Sequence, residues 1–205
     1  PGNPNSLHKL GVESKNLMLK ASEQMASLLK VKQEELIFTS GATEANNLAI
    51  KGICNNYKKR GKHVITTALE HTSISESMEY LKNLGFEISY VNILDNGLID
   101  IDDLKRHIRN DTILISIGYV NSEMGIMQPV KEIGALIKKY PRVYFHVDGT
   151  QAIGKINIDL TNIDLFSFSA HKIYGLKGIG CLYKRENIEL ENLIHGGKSQ
   201  SIYRG

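Results

Sequence analysis

The stretch DLFSFSAHKIYGLKGIG, residues 164–180, holds the feature on which both the fold and the chemistry of this chain depend. Leu165, Phe166 and Phe168 form a short apolar run bounded by turn signals, which predicts a buried strand. The strand ends in Ser-Ala-His-Lys, and three glycines then break the chain into a loop. Lys172, directly after the strand, is either a solvated charge or a reactive amine held at the end of a sheet. On this stretch alone the solvated charge is the better interpretation, since most lysines are exposed.

The composition is that of an ordinary soluble globular protein. The chain has 205 residues, 41% hydrophobic and 23% charged, so it can bury a sizeable core. Its net charge of +3 is spread along the sequence, which does not favour nucleic acid as a partner. Cys54 and Cys181 give neither a disulfide framework nor zinc-ligand spacing, so we expect a cytoplasmic protein. No apolar run reaches membrane-spanning length and no signal-peptide pattern is present, so we expect no membrane association.

Predicted strands alternate with predicted helices along the chain. Apolar runs predict strands at 36–39, 63–67, 86–91, 112–120, 142–147, 165–168 and 178–184. Amphipathic segments with caps predict helices at 41–60, 72–85, 101–109 and 130–140. The alternation and the continuous apolar strands favour one α/β domain, a three-layer sandwich in which helices cover both faces of a mostly parallel sheet.

Polar segments follow five of the predicted strands. They are SGATE, ALEHTS, GYVNSEMG, DGTQ and SAHK. Ligands of such sheets bind at the carboxyl ends of the strands, so these segments are candidates for one site. Turn and capping preferences explain the small polar residues one by one. They do not predict a carboxylate, two imidazoles, an amide pair and a lysine at the same edge.

The chemistry of these groups suits one ligand. SGATE at a helix N-terminus predicts an anion site, to which Ser169 and His171 can add donors. Asp148 ends a buried strand, so its charge needs a positive or proton-bearing partner. His71 can stack on an aromatic ring, and Lys172 can supply an amine for a Schiff base. A phosphate, a protonated ring nitrogen and an aldehyde are together features of pyridoxal phosphate, so these residues predict that cofactor.

Five segments also carry a resemblance to a known family. They are PGNPNSLHKLG, SGATEANNLAIKG, VNSEMGIMQPV, HVDGTQAIGK and SFSAHKIYGLKGIG. In this order they resemble cysteine desulfurases of the class V aminotransferase family, most closely the branch that serves iron–sulfur cluster assembly. The resemblance implies the large cofactor domain of a fold type I pyridoxal-phosphate-dependent transferase. It also implies that residues 1–205 are most of that domain, with its N-terminal strand and the C-terminal small domain outside the chain.

The resemblance implies roles for individual residues. It makes Lys172 the Schiff-base lysine, Asp148 the partner of the ring nitrogen and His71 the stacking histidine. Lys172 and His71 are the implied catalytic residues, and no metal is expected. Gln151 is implied to hydrogen-bond the phenolic oxygen, and Asn121 to contact the cofactor and the substrate carboxylate. The implied contacts to the phosphate are Ala42, Thr43, Ser169 and His171.

The activity that the resemblance implies is removal of sulfur from L-cysteine, giving L-alanine and an enzyme persulfide for iron–sulfur cluster assembly or other sulfur transfer. The implied partners are L-cysteine, a sulfur-acceptor or iron–sulfur scaffold protein, and a second copy in a homodimer at full length. In the family the nucleophilic cysteine lies beyond the last residue of this chain, so we expect the chain alone to be inactive. We expect Cys54 and Cys181 to be packed thiols. The segment HGGKSQSIYRG resembles the family only loosely, so Lys198 and Gln200 receive no role.

Some positions depart from the family pattern. Ser122 and Leu176 replace a usual Asn and Pro, and Gly149 replaces a common Ala, which we expect to be a small change. Lys177, between glycines in the loop, competes with Lys172 for the aldehyde. A strand end fixes an amine better than a loop, which favours Lys172.

Three other interpretations remain open at this point. One is another class V enzyme such as a selenocysteine lyase, and another is a non-catalytic fragment that only binds the cofactor. The third is a metal site. It would use the side chains of His71, His146, Asp148 and His171. That site leaves Lys172, Gln151 and the SGATE segment without a role.

Overall fold

The structure is a computed structural model that describes residues 2–197, 202 and 203. Lys198 and Gln200 lie outside the described residues. One sheet contains seven strands, and five α-helices accompany it. The strands are β1 Leu36–Thr39, β2 His63–Thr67, β3 Glu87–Val91, β4 Thr112–Gly118, β5 Tyr144–Asp148, β6 Leu165–Ser169 and β7 Gly180–Lys184. The helices are α1 Lys9–Leu29, α2 Ala42–Tyr57, α3 Thr72–Asn83, α4 Ile101–His107 and α5 Val130–Ile137.

The strand order is β1-β7-β6-β5-β4-β2-β3, and the pairs among β2 to β6 are parallel. Strand β7 is antiparallel to both of its neighbours, β1 and β6. The reason is the short connection after β6, which is too short to carry the chain back across the sheet for a parallel pairing. The mostly parallel sheet is therefore confirmed, with β7 as the exception.

Two hydrophobic cores lie on opposite faces of the sheet, which confirms the three-layer α/β sandwich. The first core packs α2 and α3 against residues such as Val64 and Leu114. The second packs α4, α5 and the end of α1 against residues such as Ile115 and Phe145. Burial of apolar side chains on both faces explains why the central strands read as continuous apolar runs.

Helix α1 was not predicted. It is 21 residues long, but only Gly11, Ala26 and Leu29 are buried in it. It ends at Lys30, whose left-handed backbone (φ 57°) returns its N–H to the carbonyls of the last turn. The available signal was the absence of Gly and Pro from residue 12 to residue 40, in a segment rich in strong helix formers. No helix in the described part of the chain is both long and apolar enough to cross a membrane.

A row of buried polar side chains crosses the face that α2 and α3 cover. We call it the polar belt, and its members are Thr66, Ser116, His146 and Ser167. The Thr66 hydroxyl donates to the Ser116 carbonyl over 2.8 Å, and Ser116 Oγ lies 2.8 Å from His146 Nδ1. His146 Nε2 lies 2.8 Å from Ser167 Oγ. Because alternate residues of a strand share a face, the belt lies one step below the carboxyl edge of the sheet.

Candidate active site

The carboxyl edge of the sheet opens into a cavity of about 880 Å³. Its walls come from the segments that follow β1, β2, β4, β5 and β6, as expected for a mostly parallel sheet. All nine predicted site residues line it: Ala42, Thr43, His71, Asn121, Asp148, Gln151, Ser169, His171 and Lys172. The structure thus brings together side chains that are up to 130 positions apart in the sequence. Their individual roles stay predictions.

One end of the cavity is the N-terminus of α2. Gly41 is the capping residue and offers no side chain, so the first N–H groups of the helix have no side-chain cap. Ser169 Oγ lies 2.7 Å from His171 Nδ1, and a Cβ on Gly41 would lie 3.8 Å from the same hydroxyl. A Cβ on Gly180 would lie 2.6 Å from the Gly41 Cα, so glycine there lets β7 approach this turn. The arrangement provides backbone donors, a hydroxyl and an imidazole for an anion.

Asp148 lies at the end of β5 in the middle of the cavity wall. Its Oδ2 accepts a hydrogen bond from Asn46 Nδ2 over 2.7 Å, and its Oδ1 accepts one from the Thr150 N–H over 2.9 Å. Both oxygens keep lone pairs for a further donor, because a carboxylate can accept about four hydrogen bonds. The Thr150 hydroxyl beside it is buried and has no partner among the described residues. This part of the wall therefore suits a ligand that carries an N–H next to an acceptor.

His71 is the N-cap of α3, and its ring is exposed at the cavity. Its Nδ1 accepts the N–H of Ser73 over 3.1 Å and lies 2.9 Å from Ser73 Oγ. A neutral imidazole whose Nδ1 accepts must carry its hydrogen on Nε2. The ring therefore offers an Nε2–H group as its free polar atom.

Sequence reasoning missed Asn46 and Ser73, which join His71 to Asp148. Asn46 Nδ2 lies 2.9 Å from Ser73 Oγ as well as 2.7 Å from Asp148 Oδ2. Both residues are buried, Asn46 completely. The available signal was one amide within the apolar stripe of α2, where an unpaired polar group would be costly.

Asn121 and Gln151 line the cavity, but their amides contact other parts of the protein. Asn121 Nδ2 donates to the Leu69 carbonyl over 3.0 Å, and its Oδ1 accepts the N–H groups of Glu123 and Met124, each over 2.9 Å. Asn121 thereby ties the segment before His71 to the turn after β4. Gln151 Oε1 accepts from Lys155 Nζ over 2.8 Å. Contacts of either residue to a ligand remain predictions.

Two lysines reach the cavity. Lys172 lies in the single turn of 3₁₀ helix Ala170–Ile173 that continues β6, and Gly175 N–H closes that turn on the Ala170 carbonyl over 2.9 Å. Lys177 lies in the loop beyond, next to Gly178, whose φ is +81°. The turn holds Lys172 close to the end of the sheet. Because a strand end fixes an amine better than a loop does, this position favours Lys172 over Lys177 as the amine for the aldehyde.

Glu70 is a further cavity residue that the sequence did not reveal. Its Oε1 accepts from the Thr67 hydroxyl over 2.7 Å, and its carboxylate also accepts the Gly118 N–H. Burial raises the pKa of Glu70 to about 8, and the neighbouring charge of Asp148 adds to the effect. The raised pKa favours the protonated form of Glu70 near neutral pH.

The alternative of a metal site loses its geometric basis. Within residues 2–197, 202 and 203, no three His, Cys, Asp or Glu side chains group as metal ligands. His146 is fully buried, and burial lowers its pKa to about 4. Both of its nitrogens already face hydroxyls of the polar belt.

The expectation that both cysteines are packed thiols is confirmed. Cys54 and Cys181 are free and buried. Burial raises the pKa of Cys181 to about 12 and also raises the pKa of Cys54. A thiol that stays protonated in the core is a poor nucleophile.

The fold and the cavity define a class of protein. An α/β sheet whose carboxyl edge combines an anion-binding helix terminus, a carboxylate, an exposed imidazole and a lysine is a cofactor domain of the pyridoxal-phosphate type. The sequence matches the family "Aminotransferase class-V" over residues 1–203, and the chain belongs to this family. Its members depend on pyridoxal phosphate.

Relatives with high sequence identity to this chain are named cysteine desulfurases. The "Cysteine desulfurase IscS" of Dictyoglomus turgidum is 45% identical over 99% of this chain and 52% of its own length. The mitochondrial cysteine desulfurase of Eremothecium gossypii is 45% identical over 99% of this chain and 42% of its own. The chain thus spans about half the length of the curated relatives it matches.

Two solved structures share the fold closely. A "NifS-like protein" superposes with a TM-score of 0.96 at 40% identity, covering 100% of this chain and 57% of its own. "SspA in complex with cysteine" superposes with a TM-score of 0.95 at 38% identity, covering 100% of this chain and 60% of its own. Both likenesses extend over the whole chain, so they cover the cavity as well as the sheet.

The side chains present in the cavity fit pyridoxal phosphate. The α2 N-terminus with Thr43, Ser169 and His171 supplies donors for a phosphate, and Asp148 supplies an acceptor for a ring N–H. The buried hydroxyl of Thr150, which has no partner within the described part of the chain, lies beside that acceptor. Lys172 supplies the amine that an aldehyde requires.

Proposed function

We propose that this chain is the cofactor-binding part of a cysteine desulfurase. Such an enzyme removes sulfur from L-cysteine, releases L-alanine and holds the sulfur as a persulfide for transfer to an acceptor or an iron–sulfur scaffold. The observation that carries the proposal is the convergence of all nine predicted residues on one cavity. The names of relatives that are 43–48% identical over at least 93% of the chain support it, as does a solved neighbour named as a complex with cysteine.

The cofactor, when bound, supplies an aldehyde for covalent attachment and an electron-poor ring that accepts charge from the substrate. Asp148 would accept the hydrogen of the ring nitrogen and keep that nitrogen protonated. Lys172 would supply the amine for the aldehyde and, as a free amine, would move the proton at the substrate Cα. His71 would offer its exposed ring to the cofactor, and its Nε2 would pass a proton to or from the substrate.

The nucleophile that receives the sulfur would come from another part of the protein. Both cysteines of this chain are buried, and neither faces the cavity. We therefore propose that residues 1–205 alone do not release sulfur from cysteine. Two free thiols without a disulfide also suit a reducing compartment, which supports a cytoplasmic location.

A homodimer at full length is part of the proposal. Apolar side chains are exposed in the loop at the mouth of the cavity, namely those of Tyr174, Leu176 and Ile179. An apolar patch beside a site suits contact with another protein surface. The mass of the full-length protein in solution, measured by sedimentation, tests this part, and a monomer would contradict it.

The test of the proposed activity uses the full-length protein loaded with pyridoxal phosphate. We expect borohydride to fix the cofactor to the peptide that contains Lys172, as identified by mass spectrometry. Lys172→Ala should abolish this product, whereas the matched control Lys177→Ala should keep it. With cysteine and a reductant, the wild-type protein should form alanine and sulfide over many turnovers. Fixation of the cofactor in the Lys172→Ala variant, or no turnover of cysteine, would overturn the proposal.

A further inference from the structure

Asn46 is a buried amide that contacts both Asp148 of the cavity wall and Ser73, the serine hydrogen-bonded to His71. We propose that Asn46 is a positioning residue of this site: it holds the Asp148 carboxylate against the ring nitrogen of the cofactor and links Asp148 to the serine that supports His71. The inference rests on the proposed function, because it assigns Asn46 a task only if pyridoxal phosphate occupies the cavity. None of the residues predicted from the sequence has this task.

The orientation of the Asn46 amide is fixed by its partners. The side chain is 0% exposed, and its Nδ2 lies 2.7 Å from Asp148 Oδ2 and 2.9 Å from Ser73 Oγ. An ionised carboxylate only accepts hydrogen bonds, so the nitrogen of the amide must face Asp148. Both Nδ2 hydrogens are therefore used, one for each partner. The Oδ1 atom is buried without a partner among the described residues, which shows that the contact to Asp148 is kept at some cost.

The two hydrogen bonds to Asp148 fix the plane of its carboxylate. Asn46 holds Oδ2, and the Thr150 N–H holds Oδ1 over 2.9 Å. The donor on Oδ1 is a neighbour in the same turn, so it moves with Asp148. Asn46 lies 102 positions away in the sequence and is the donor that ties the carboxylate to another element. Without it, the Asp148 side chain can turn about its own bonds.

Helix α2 carries both anchors of the proposed ligand. Thr43 lies in its first turn at the anion end of the cavity, and Asn46 follows three residues later. Residues three apart lie on the same side of a helix, so one rigid element sets the spacing between the phosphate donors and the support of Asp148.

The second Nδ2 hydrogen of Asn46 sets the direction of the bonds towards His71. Because Ser73 Oγ accepts from Asn46, its own hydrogen is free to point at His71 Nδ1, 2.9 Å away. That hydrogen bond favours the form of His71 that carries its hydrogen on Nε2, towards the cavity. Asn46 thus supports both Asp148, directly, and His71, through Ser73, with one amide.

The experiment compares two ligands on the full-length apo-protein. They are pyridoxal phosphate and its analogue in which C–H replaces the ring nitrogen, and the readout is the ratio of their dissociation constants. The variants are Asn46→Leu, which is similar in volume and donates nothing, and Asn46→Ser, which is smaller. Asn47→Leu is the matched control, because Asn47 is the next residue of the same helix and its amide donates to the Thr43 carbonyl rather than to Asp148 or Ser73. The melting temperature of each apo-protein reports whether it is folded.

We expect wild-type protein and Asn47→Leu to prefer the ligand with the ring nitrogen. In both Asn46 variants the ratio of the two dissociation constants should fall about tenfold, which corresponds to one hydrogen bond to a charged group. A purely structural role of Asn46 would weaken both ligands equally and leave the ratio unchanged, and that result in a folded variant would overturn the inference. If Asn46→Leu does not fold, Asn46→Ser decides in the same way. Failure of the wild-type protein to bind pyridoxal phosphate would instead contradict the proposed function.

Discussion

The polar belt and the neighbouring row at the carboxyl edge lie on the same face of the sheet and contain similar types of residue. They differ in how many of their hydrogen-bonding groups already have partners. In the polar belt, His146 has a hydroxyl at each ring nitrogen, and no belt residue is more than slightly exposed. Two residues further along β5, Asp148 has two donors and still faces an open cavity. We call the strand ends and following segments that line the cavity, Asp148 among them, the rim. The polar belt has little unused hydrogen-bonding capacity, whereas the rim keeps such capacity for a ligand. We expect changes in the belt to reduce stability and changes in the rim to reduce binding.

Asp148→Asn should have the largest effect on binding. The variant keeps the shape of the side chain but removes the charge that holds the ring nitrogen protonated. Preference for pyridoxal phosphate over the analogue without the ring nitrogen should fall by about a hundredfold, the size of two or more kcal/mol for a charged hydrogen bond. Turnover of cysteine by the full-length protein should collapse as well. The side chain keeps its size, but its new NH2 group would face one of the two donors, Asn46 Nδ2 or the Thr150 N–H, so the melting temperature of the apo-protein should fall modestly.

An unchanged preference in Asp148→Asn would mean that another group meets the ring nitrogen. It would also remove the distinction between rim and belt, since the rim carboxylate would then have no ligand. The belt variants described below serve as controls for this experiment, because they lie on the same face of the same strands.

Gly149→Ala asks whether a residue at the rim can nevertheless be structural. A Cβ at Gly149 would overlap the ring of Phe166, which is fully buried in the core. The expectation that the exchange between Gly and Ala at position 149 is a small change therefore needs a correction. The exchange is small only where the side chain at position 166 leaves space for a Cβ. We expect Gly149→Ala to lower the free energy of unfolding by about 1–3 kcal/mol, the cost of overpacking. Urea unfolding of the full-length apo-protein measures this.

The double variant Gly149→Ala with Phe166→Leu provides the test of the cause. A smaller side chain at residue 166 should remove the overlap. The loss of unfolding free energy in the double variant should therefore be smaller than the sum of the losses in Gly149→Ala and Phe166→Leu. Additive losses would show that the cost arises elsewhere.

His146→Leu should destabilise the protein without changing the ligand preference. It leaves the buried hydroxyls of Ser116 and Ser167 without their shared partner, at a cost on the order of 2 kcal/mol. Thr66→Val removes a single hydrogen bond at the edge of the belt, so about 1 kcal/mol is expected. A belt variant that is fully stable but loses the preference for the ring nitrogen would break the comparison between the two rows.

The sequence predicted the residues at the strand ends better than the buried residues that support them. Strands β1 and β2 have the predicted bounds, because turn residues and polar segments flank both of their short apolar runs. The rim residues could be found because they follow strands, and strand ends share an edge in a parallel sheet. This rule needs no knowledge of which strands are neighbours.

The missed residues needed information that the pattern does not contain. Asn46 lies inside a helix, and Ser73 lies two residues past the N-cap His71, so only the packing of α2 against α3 brings them together. Glu70 looks like an ordinary loop carboxylate until Thr67 and Gly118 are known to surround it. Helix α1 was missed for another reason: its apolar residues, such as Leu17 and Leu28, are exposed and do not form one stripe facing this core.

Glu70→Gln should show its effect chiefly as a change of stability with pH. Folding raises the pKa of Glu70 from 4.5 to about 8, chiefly through burial. Between those two values the unfolded chain releases the proton and the folded chain retains it, so the stability that this group contributes is complete at low pH and is lost as pH rises towards about 8. Glutamine does not titrate, so the melting temperature of Glu70→Gln relative to wild-type apo-protein should rise between about pH 5 and about pH 8. Glu23→Gln, at an exposed position of α1, should run parallel to wild type. Parallel profiles for Glu70→Gln as well would show that Glu70 is ionised in the folded protein and that the rim holds two charges.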